Sequence, residues 1–294
     1  MSQVWLVTGS ASGLGRDIVE AALAAGHRVV ASARDPRALA DLVERHGDQK
    51  IRAVALDVTD AEAAHAAVRV ATGAFGRLDV VVNNAGYGHA SAFEEMDPDD
   101  FRAQIDTNFY GVVNVTRAAL PVLRAQRSGH IIQISSVGGR IGTPGLSAYQ
   151  AAKWAVGGFS EVLAHEVTPF GVKISVIEPG GMRTNWGARA RGSVGRPMPD
   201  YEPSVGALLD MLTPYVGKET GDPAKVADVI VRLAAHDAPP LHLLMGSDAV
   251  HYAGLADAAR AADGERWRAV SESTDFAHAG PPPAFPPADA TASS

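Results

Sequence analysis

The sequence predicts an α/β fold in which a doubly wound parallel sheet carries helices on both faces. Short apolar runs that are typical of buried strands alternate with longer segments whose apolar residues recur at helical spacing. Such alternation indicates strand–helix–strand units, which assemble into parallel sheets covered on both sides. Glycine-rich or polar segments follow several of these strands directly. Since ligands of such sheets bind beyond the carboxyl ends of the strands, we expect one site where these ends meet.

The composition is that of an ordinary globular protein and excludes several function classes. The 294 residues, 46% hydrophobic and 20% charged, suffice for one large core. A net charge of −7 argues against a nucleic-acid partner, and the absence of cysteine excludes disulfides and thiolate chemistry. The ten histidines do not cluster, so no metal site is expected. We found neither a signal peptide nor an apolar run near the ~20 residues of a membrane span, and expect a cytoplasmic protein without a membrane partner.

The first predicted strand, Val4–Val7, leads into a glycine-rich turn and then a helix. The turn is Thr8-Gly-Ser-Ala-Ser-Gly-Leu-Gly15, and the helix pattern after it stops at Gly26. Glycines let the backbone turn tightly and approach a phosphate, and a helix N-terminus offers N–H groups with a favourable dipole. Glycine-rich turns also occur for steric reasons alone, but this placement between strand and helix favours a nucleotide site.

The end of the second predicted strand, 29–33, bears on which dinucleotide is preferred. An acidic residue at this place binds the adenosine ribose diol, whereas an arginine accommodates a 2′-phosphate. Ala33 occupies the diol position and Arg34 follows it, which favours NADP(H) while leaving NAD(H) possible. Asp35 is predicted to cap the next helix, with Pro36 in the first turn. A register shift of two residues would make Asp35 the diol ligand instead.

Further along the chain, the predicted elements continue the same alternation. Strands are predicted at 51–58, 78–82, 130–135, 171–178 and 241–246, and helices at 61–75, 98–127, 204–217, 223–236 and 248–271. The 98–127 segment, predicted as one helix or as two, contains Asn108. That side chain could bond neighbouring main chain or distort the helix and hold a water, and the sequence slightly favours the structural role.

Two segments near the C-terminus fall outside this alternation. Residues 182–203 form the least regular region and, extended to 217, are predicted as a substrate lid. Residues 280–294 are rich in proline and alanine and are predicted as a flexible tail, so the domain is expected at 1–279.

A hydroxyl, a phenol and an ammonium occur close together in the stretch 136–153. Tyr149 and Lys153 lie four residues apart in a predicted helix and would share a face. A nearby cation lowers the pKa of a phenol from about 10, which would make Tyr149 an acid or base near neutral pH. Both side chains could equally lie on a solvated helix face, and this stretch alone does not decide.

Together the motifs of residues 3–185 resemble the short-chain dehydrogenase/reductase family. The resemblance is carried by Thr8-Gly9-x3-Gly13-x-Gly15, Asn83-Asn84-Ala85-Gly86, Asn108, Ser136, Tyr149-x3-Lys153 and Pro179-Gly180. It implies a single-domain Rossmann-type fold and hydride transfer between a nicotinamide and a carbonyl or secondary alcohol. The 178–186 stretch is similar to the branch containing 17β-hydroxysteroid and retinol dehydrogenases.

The resemblance also implies roles for single residues. Tyr149 would be the general acid/base, Lys153 would bind the nicotinamide ribose and lower the pKa of Tyr149, and Ser136 would hold the substrate oxygen. Asn108 would keep a water that links the lysine to solvent. The predicted cofactor-binding residues are Gly9, Ser10, Ser12, Gly13, Leu14, Gly15, Arg34, Asp57, Val58, Asn84, Ala85, Gly86, Tyr149, Lys153, Pro179, Gly180 and Thr184. Ser12 stands where many NADP-dependent members carry a basic residue, so the preference for NADP(H) depends on Arg34. A homodimer or homotetramer is implied as well.

Other functions and the substrate were also weighed on the sequence. A non-catalytic dinucleotide-binding regulator on the same fold would not need a complete set of catalytic side chains. A sugar epimerase or dehydratase is disfavoured by the glycine spacing. An apolar substrate is possible because Tyr87, His89, Met182 and Trp186 could line a pocket, although Trp186 could simply pack the lid down.

Overall fold

Seven strands form one parallel sheet in the part of the chain that this computed structural model describes, residues 2–191 and 195–275. The strands are β1 Val4–Val7, β2 Arg28–Ala33, β3 Ile51–Ala55, β4 Val80–Asn83, β5 Gly129–Ile134, β6 Val172–Pro179 and β7 His242–Met245. Their spatial order is β3-β2-β1-β4-β5-β6-β7, with every neighbouring pair parallel. The order reverses between β1 and β4, which creates the crevice where ligands of doubly wound sheets bind.

Helices connect these strands and cover both faces of the sheet. They are α1 Gly13–Ala24, α2 Ala40–His46, α3 Ala61–Phe75, α4 Pro98–Ile105, α5 Gly111–Gln126, α6 Ser147–Val167, α7 Trp186–Arg191, α8 Ala207–Leu212, α9 Pro223–Ala234 and α10 Ser247–Glu272. Among the described helices, none combines the length and the apolar content that crossing a membrane requires.

The core is split into two layers by the alternation of side chains along the strands. Trp5 and Val7 of β1 pack with α1 and α9 on one face, whereas Val4 and Leu6 pack with α3, α5 and α6 on the other. Strands covered on both faces are apolar throughout, which is why they read as continuous hydrophobic runs. The predicted α/β fold with helices on both faces is confirmed.

The predicted strand 51–58 is too long, because β3 ends at Ala55. Beyond it the Asp57 carboxylate accepts hydrogen bonds from the Thr59 N–H at 3.0 Å and the Thr59 hydroxyl at 2.8 Å. An aspartate that bonds the residue two places on turns the chain out of the strand. Asp57 and Val58 therefore lie in a turn beyond the sheet.

The helical segment 98–127 is broken, as one of the sequence alternatives allowed. A π-helical turn, Asp106–Tyr110, separates α4 from α5. Such single wide turns insert an extra residue into a helix and occur frequently at functional sites. This one contains Asn108.

The predicted helix 204–217 is also interrupted. A π-helical turn, Glu202–Gly206, precedes α8, and a 3-10 turn, Thr213–Tyr215, follows it. Pro203 and Pro214 lie within these two irregular turns, and neither can donate a backbone hydrogen bond.

A β-bridge joins the start of the predicted lid to the chain just after its end. Met182 and Gly221 form a β-bridge, and the Gly221 N–H donates to the Gly181 carbonyl at 2.9 Å. Between them α7 is a helix that the sequence pattern did not predict. The predicted flexible tail, 280–294, lies outside the described residues.

Candidate active site

The three glycines of the first turn have three different surroundings. Gly9, at φ +69°, faces the main chain of Ala85, to which a Cβ would come within 2.8 Å. Gly15 has no room for a Cβ between the Gly9 carbonyl and the Asn84 side chain. Gly13, at φ +58°, opens toward Thr184, and a Cβ there would meet nothing closer than 3.7 Å. Gly9 and Gly15 therefore serve the tight turn and its packing, and Gly13 faces the space where a pyrophosphate would approach α1.

The other residues of this turn that were predicted as cofactor contacts are Ser10, Ser12 and Leu14. Ser10 is fully buried, and its hydroxyl donates to the Val7 carbonyl at 2.8 Å. Leu14 is buried in the apolar layer beneath α1. Ser12 precedes the first residue of α1 and has extended backbone. Sequence reasoning named these three as cofactor contacts, and the buried side chains of Ser10 and Leu14 leave only their main chain available for that role.

Asn84 and Ala85 fasten the glycine turn to the end of β4. The Asn84 amide donates to the Thr8 carbonyl at 2.9 Å and to the Gly9 carbonyl at 3.2 Å. The N–H groups of Asn84 and Ala85 both donate to the Thr8 hydroxyl, at 2.9 and 3.0 Å. Thr8 was part of the sequence motif without a role of its own. The Thr8 hydroxyl joins the two loops by accepting these two hydrogen bonds.

The end of β2 has the register that the sequence predicted. β2 ends at the buried Ala33, and Asp35 caps the next turn by accepting from the Arg37 N–H at 3.0 Å. The Arg37 guanidinium also binds the Asp35 carboxylate, which lowers the pKa of Asp35. Arg34 is exposed, and among the described residues it has neither a hydrogen bond nor an ion pair.

Asp57 and Val58 lie at the carboxyl end of the neighbouring strand. Hydrogen bonds from Thr59 and the positive charge of Arg34 lower the pKa of Asp57, so its carboxylate is ionised at neutral pH. Val58 is buried against Gly111, and its carbonyl accepts from Asn114 at 3.0 Å. Together with Arg34 these residues line the β2–β3 edge of the crevice.

The π-helical turn brings Asn108 against the loop after β4. The Asn108 amide donates to the carbonyls of Tyr87 and Gln104, each at 2.8 Å, and its oxygen accepts from the Tyr87 N–H at 3.2 Å. A Cβ on Gly86 would lie 2.5 Å from that oxygen and 3.5 Å from the Lys153 nitrogen. The missing side chain of Gly86 therefore leaves room for both polar groups beside it.

Gln104 is a site residue that sequence reasoning missed. It is fully buried one helical turn before Asn108, and its side-chain oxygen accepts from the His89 N–H at 2.9 Å. With Asn108 it holds the loop 87–89 in place. The signal was present, since two amide side chains four residues apart share one helix face.

Ser136 and Tyr149 bring two hydroxyls together beyond β5. Ser136 caps a short 3-10 turn, Val137–Gly139, by accepting from the Gly138 N–H at 3.0 Å. Its hydroxyl also lies near enough to the phenol of Tyr149, in the first turn of α6, to lower the pKa of that phenol. Tyr149 is buried, so the interpretation of a solvated helix face is wrong.

Burial sets the pKa of both Tyr149 and Lys153. Burial raises the pKa of Tyr149 to about 12, and the Ser136 hydroxyl lowers it by a smaller amount. Burial lowers the pKa of Lys153 to about 8. The Lys153 ammonium donates to the Ile134 carbonyl at 2.8 Å and lies 5.6 Å from the centre of the Tyr149 ring. The pKa of Tyr149 thus lies above its ordinary value and not below it as predicted, because desolvation disfavours the phenolate and Lys153 is not among the groups that shift this pKa.

The remaining predicted residues follow β6. Pro179 ends this strand, and the Gly180 N–H donates to the Met245 carbonyl at 2.9 Å. Thr184 faces Gly13 across the crevice, and its hydroxyl accepts from the Trp186 N–H at 3.3 Å. Trp186 packs on Tyr149, with the ring centroids 5.0 Å apart.

These residues fit a bound dinucleotide along the crevice. Gly13 leaves space at the start of α1, Arg34 and Asp57 lie at one end, and Ser136, Tyr149 and Lys153 cluster beyond β5. The crevice thus offers phosphate-binding main chain near its middle and proton-donating side chains at the other end.

Comparison with known proteins identifies the family. The family model described as short chain dehydrogenase matches residues 3–193. The chain is 51% identical over 271 residues to Oxidoreductase BOA17 of Botryotinia fuckeliana, which covers 92% of this chain and 98% of that protein.

Solved structures agree with this match. A short-chain dehydrogenase from Streptomyces avermitilis is 40% identical with a TM-score of 0.82, covering 94% of this chain and 99% of that one. A metagenomic short-chain oxidoreductase in complex with NADP is 28% identical with a TM-score of 0.65, covering 83% of this chain and 97% of that one. The chain therefore belongs to the short-chain dehydrogenase/reductase family, as an oxidoreductase that uses a nicotinamide dinucleotide.

Proposed function

We propose that the protein transfers hydride between NADP(H) and a carbonyl or secondary alcohol, with Tyr149 as the general acid/base. The observation that carries the proposal is that the half-buried Ser136 hydroxyl lies beside the buried Tyr149 phenol beyond β5, close to the buried Lys153. Two hydroxyls at one place can both donate to the same oxygen. The reaction that uses such a pair is the addition of hydride to a carbonyl, which builds negative charge on that oxygen.

The protonation states favour Tyr149 as the proton donor. A phenol with a pKa of about 12 is neutral at pH 7 and can donate to the developing alkoxide. The dinucleotide supplies the hydride when bound, so the protein contributes orientation, electrostatics and the proton. Ser136 holds the oxygen throughout and stabilises its charge.

Lys153 and Asn108 are proposed to return a proton to Tyr149. The Lys153 nitrogen and the Asn108 oxygen both lie beside Gly86, where a Cβ would come within 3.5 and 2.5 Å of them. With a pKa of about 8, Lys153 can lose and regain a proton near neutral pH. The main-chain bonds of Asn108 support the structural role as well, because they hold its oxygen at this position.

The proposed preference for NADP(H) rests on Arg34. Its exposed guanidinium makes no hydrogen bond or ion pair with the described residues, although its charge acts on Asp57, and it lies directly after the end of β2. Asp35, the alternative ribose ligand, already binds Arg37. An arginine whose guanidinium is exposed and makes no hydrogen bond suits a 2′-phosphate, and an aspartate already bound to Arg37 is poorly placed to bind a ribose diol.

An apolar substrate is proposed from the surroundings of Tyr149. The indole of Trp186 covers one side of the phenol, and Gly88 lies against that indole, where a Cβ would come within 2.6 Å. A flat apolar wall beside the proton donor favours carbonyl compounds with apolar substituents.

Replacing Tyr149 by phenylalanine tests the proposal. We expect Tyr149→Phe to lower the turnover of carbonyl reduction by on the order of 10²–10⁴-fold, because the proton donor is lost. NADPH affinity should stay unchanged. The measurement is NADPH absorbance with a panel of aldehydes and ketones, together with NADPH titration by fluorescence. Tyr252→Phe, at an exposed position on α10, is the control.

Two outcomes would favour other conclusions. Equal activity of Tyr149→Phe would refute the assigned role of the phenol. If the wild type binds NADPH but reduces no member of the panel, the non-catalytic regulator becomes the better explanation.

A further inference from the structure

A buried carboxylate outside the reacting groups links several elements behind Ser136. Glu178, near the end of β6, is 2% exposed. One of its oxygens accepts from the Arg140 Nε at 2.8 Å, and the other lies 3.0 Å from the Nδ1 of His242 on β7. A carboxylate is rarely buried this deeply unless it is paired, so these two contacts offset the free-energy cost of burying its charge.

Arg140 is the residue that ends the turn of Ser136. The Arg140 N–H donates to the Val137 carbonyl at 2.8 Å, and the Gly139 N–H donates to the Ser136 carbonyl at 2.9 Å. Within the same turn the Gly138 N–H donates to the Ser136 hydroxyl. Holding the Arg140 side chain on β6 therefore restrains the turn that aims this hydroxyl.

His242 holds Glu178 from the other side and has a second acidic neighbour. Its Nε2 lies 3.0 Å from Glu161 of α6. A protonated imidazole donates from both nitrogens and satisfies both carboxylates, whereas a neutral one donates from only one. Deprotonation of His242 therefore leaves one of these two carboxylates, Glu178 or Glu161, facing the lone pair of a ring nitrogen.

The other charged groups facing this cluster come from α10. Asp257 lies 3.7 Å from the Arg140 guanidinium, and Arg260 donates to the Arg140 carbonyl at 2.8 Å. The hydrogen bond with Glu178 raises the pKa of His242 against the opposing effects of burial and Arg140. The protonated form of His242 is thus favoured more than that of a free imidazole.

We propose that Glu178, Arg140 and His242 form a positioning cluster that fixes the Ser136 hydroxyl and responds to the protonation of His242. While His242 is a cation it donates to Glu178 and Glu161 at once, which fixes the position of the carboxylate that binds Arg140. Deprotonation of His242 loosens the contact among Glu178, His242 and Glu161, and the Ser136 turn shifts with Arg140. The catalytic consequence rests on the proposed function, because it requires Ser136 to hold the substrate oxygen.

The sign of the pH effect follows from the raised pKa. A histidine whose folded pKa lies above the unfolded 6.5 contributes stability that is fully present below pH 6.5. That contribution is lost as the pH rises through the folded pKa. The Ser136 turn should therefore be held most firmly on the acidic side of this titration.

Nuclear magnetic resonance tests the coupling without any need for activity. We expect the amide resonance of Gly138 to shift with pH at the same midpoint as the His242 ring, because its N–H binds Ser136. In His242→Asn, which keeps a neutral donor near the position of Nδ1, this inflection should vanish. His165→Asn, an exposed histidine of α6, is the matched control and should keep it. A Gly138 resonance that ignores the His242 titration would overturn the proposal.

Kinetics test the consequence for the reaction. We expect Glu178→Gln to lower kcat by about 10- to 100-fold through misplacement of Ser136, with little change in KM for NADPH. His242→Asn should keep, at every pH, about the kcat that the wild type has above the His242 titration, and so lose the pH dependence that follows His242. A folded Glu178→Gln variant with unchanged kcat would contradict the positioning role. If the wild type reduces no carbonyl, the proposed function fails, while the resonance experiment still decides the coupling.

Discussion

Arg34 and Asp35 are adjacent residues that would favour different dinucleotides. The sequence favoured Arg34 but left a register in which Asp35 is the ligand. β2 ends at Ala33, and the Asp35 carboxylate binds the main chain and guanidinium of Arg37. The prediction that Asp35 caps the next turn, with Pro36 after it, is therefore confirmed.

Replacing Arg34 tests the cofactor preference. We expect Arg34→Ala to weaken NADPH binding by roughly 10- to 100-fold, the range of one charge-assisted hydrogen bond, and to leave NADH binding nearly unchanged. The two dissociation constants can be measured by fluorescence titration. Arg37→Ala, the next cation along the chain, should change neither. Unaltered selectivity in Arg34→Ala would mean that another group reads the 2′-phosphate.

The pKa of Tyr149 shows what residue spacing could not predict. Spacing correctly placed Tyr149 and Lys153 on one face of a helix, with the lysine near the ring. It carried no information on burial, which dominates the pKa of both groups. Motifs therefore predicted which residues assemble, and the tertiary environment determined their protonation.

Among the secondary-structure elements, the interrupted helices were the hardest to predict. The break in 98–127 lies at Asp106–Tyr110, a segment without glycine or proline to mark it. The amide of Asn108 bonds the Gln104 carbonyl four residues back and the Tyr87 main chain, and these contacts accompany the wide turn. Side-chain bonds to another loop are a tertiary effect, so periodicity within one helix could not reveal them.

The short helix α7 carries a prediction about the substrate. Trp186 packs on Tyr149, so Trp186→Ala should raise KM for apolar carbonyl substrates more than it lowers kcat. Trp186→Phe should restore most of the lost affinity, since a smaller ring still supplies an apolar wall. Steady-state kinetics on the best substrate of the panel measure both constants. An unchanged KM in Trp186→Ala would assign the indole to packing of the lid alone.

For the molecule as a whole, the layered architecture was predictable because each element carried its own signal. Apolar runs predicted the strands, and helical spacing predicted most of the helices. Both faces of the sheet are covered, as expected. The position of α7 and the fastening of residues 182 and 221 depend on contacts between distant segments. The homodimer or homotetramer that the family resemblance implies remains a prediction.

The global stability should depend on pH through a buried histidine. His130 on β5 is 2% exposed, and burial lowers its pKa to about 3. The unfolded chain takes up a proton below pH 6.5 that the folded protein does not, so the free energy of unfolding falls on acidification by about 1.4 kcal/mol per pH unit. Chemical denaturation at pH 6.5 and 4.5 measures this difference. His130→Gln should reduce the fall, whereas His165→Gln, at an exposed site, should not.

The bridge between Met182 and Gly221 has a consequence for how this fold can be diversified. Because the two residues pair directly, the chain between them leaves and re-enters the sheet domain at one point. Its length and sequence can change without altering the distance between its ends or the path of β6. We expect that exchanging this segment, which contains Trp186, would alter substrate preference while leaving Ser136 and Tyr149 in place.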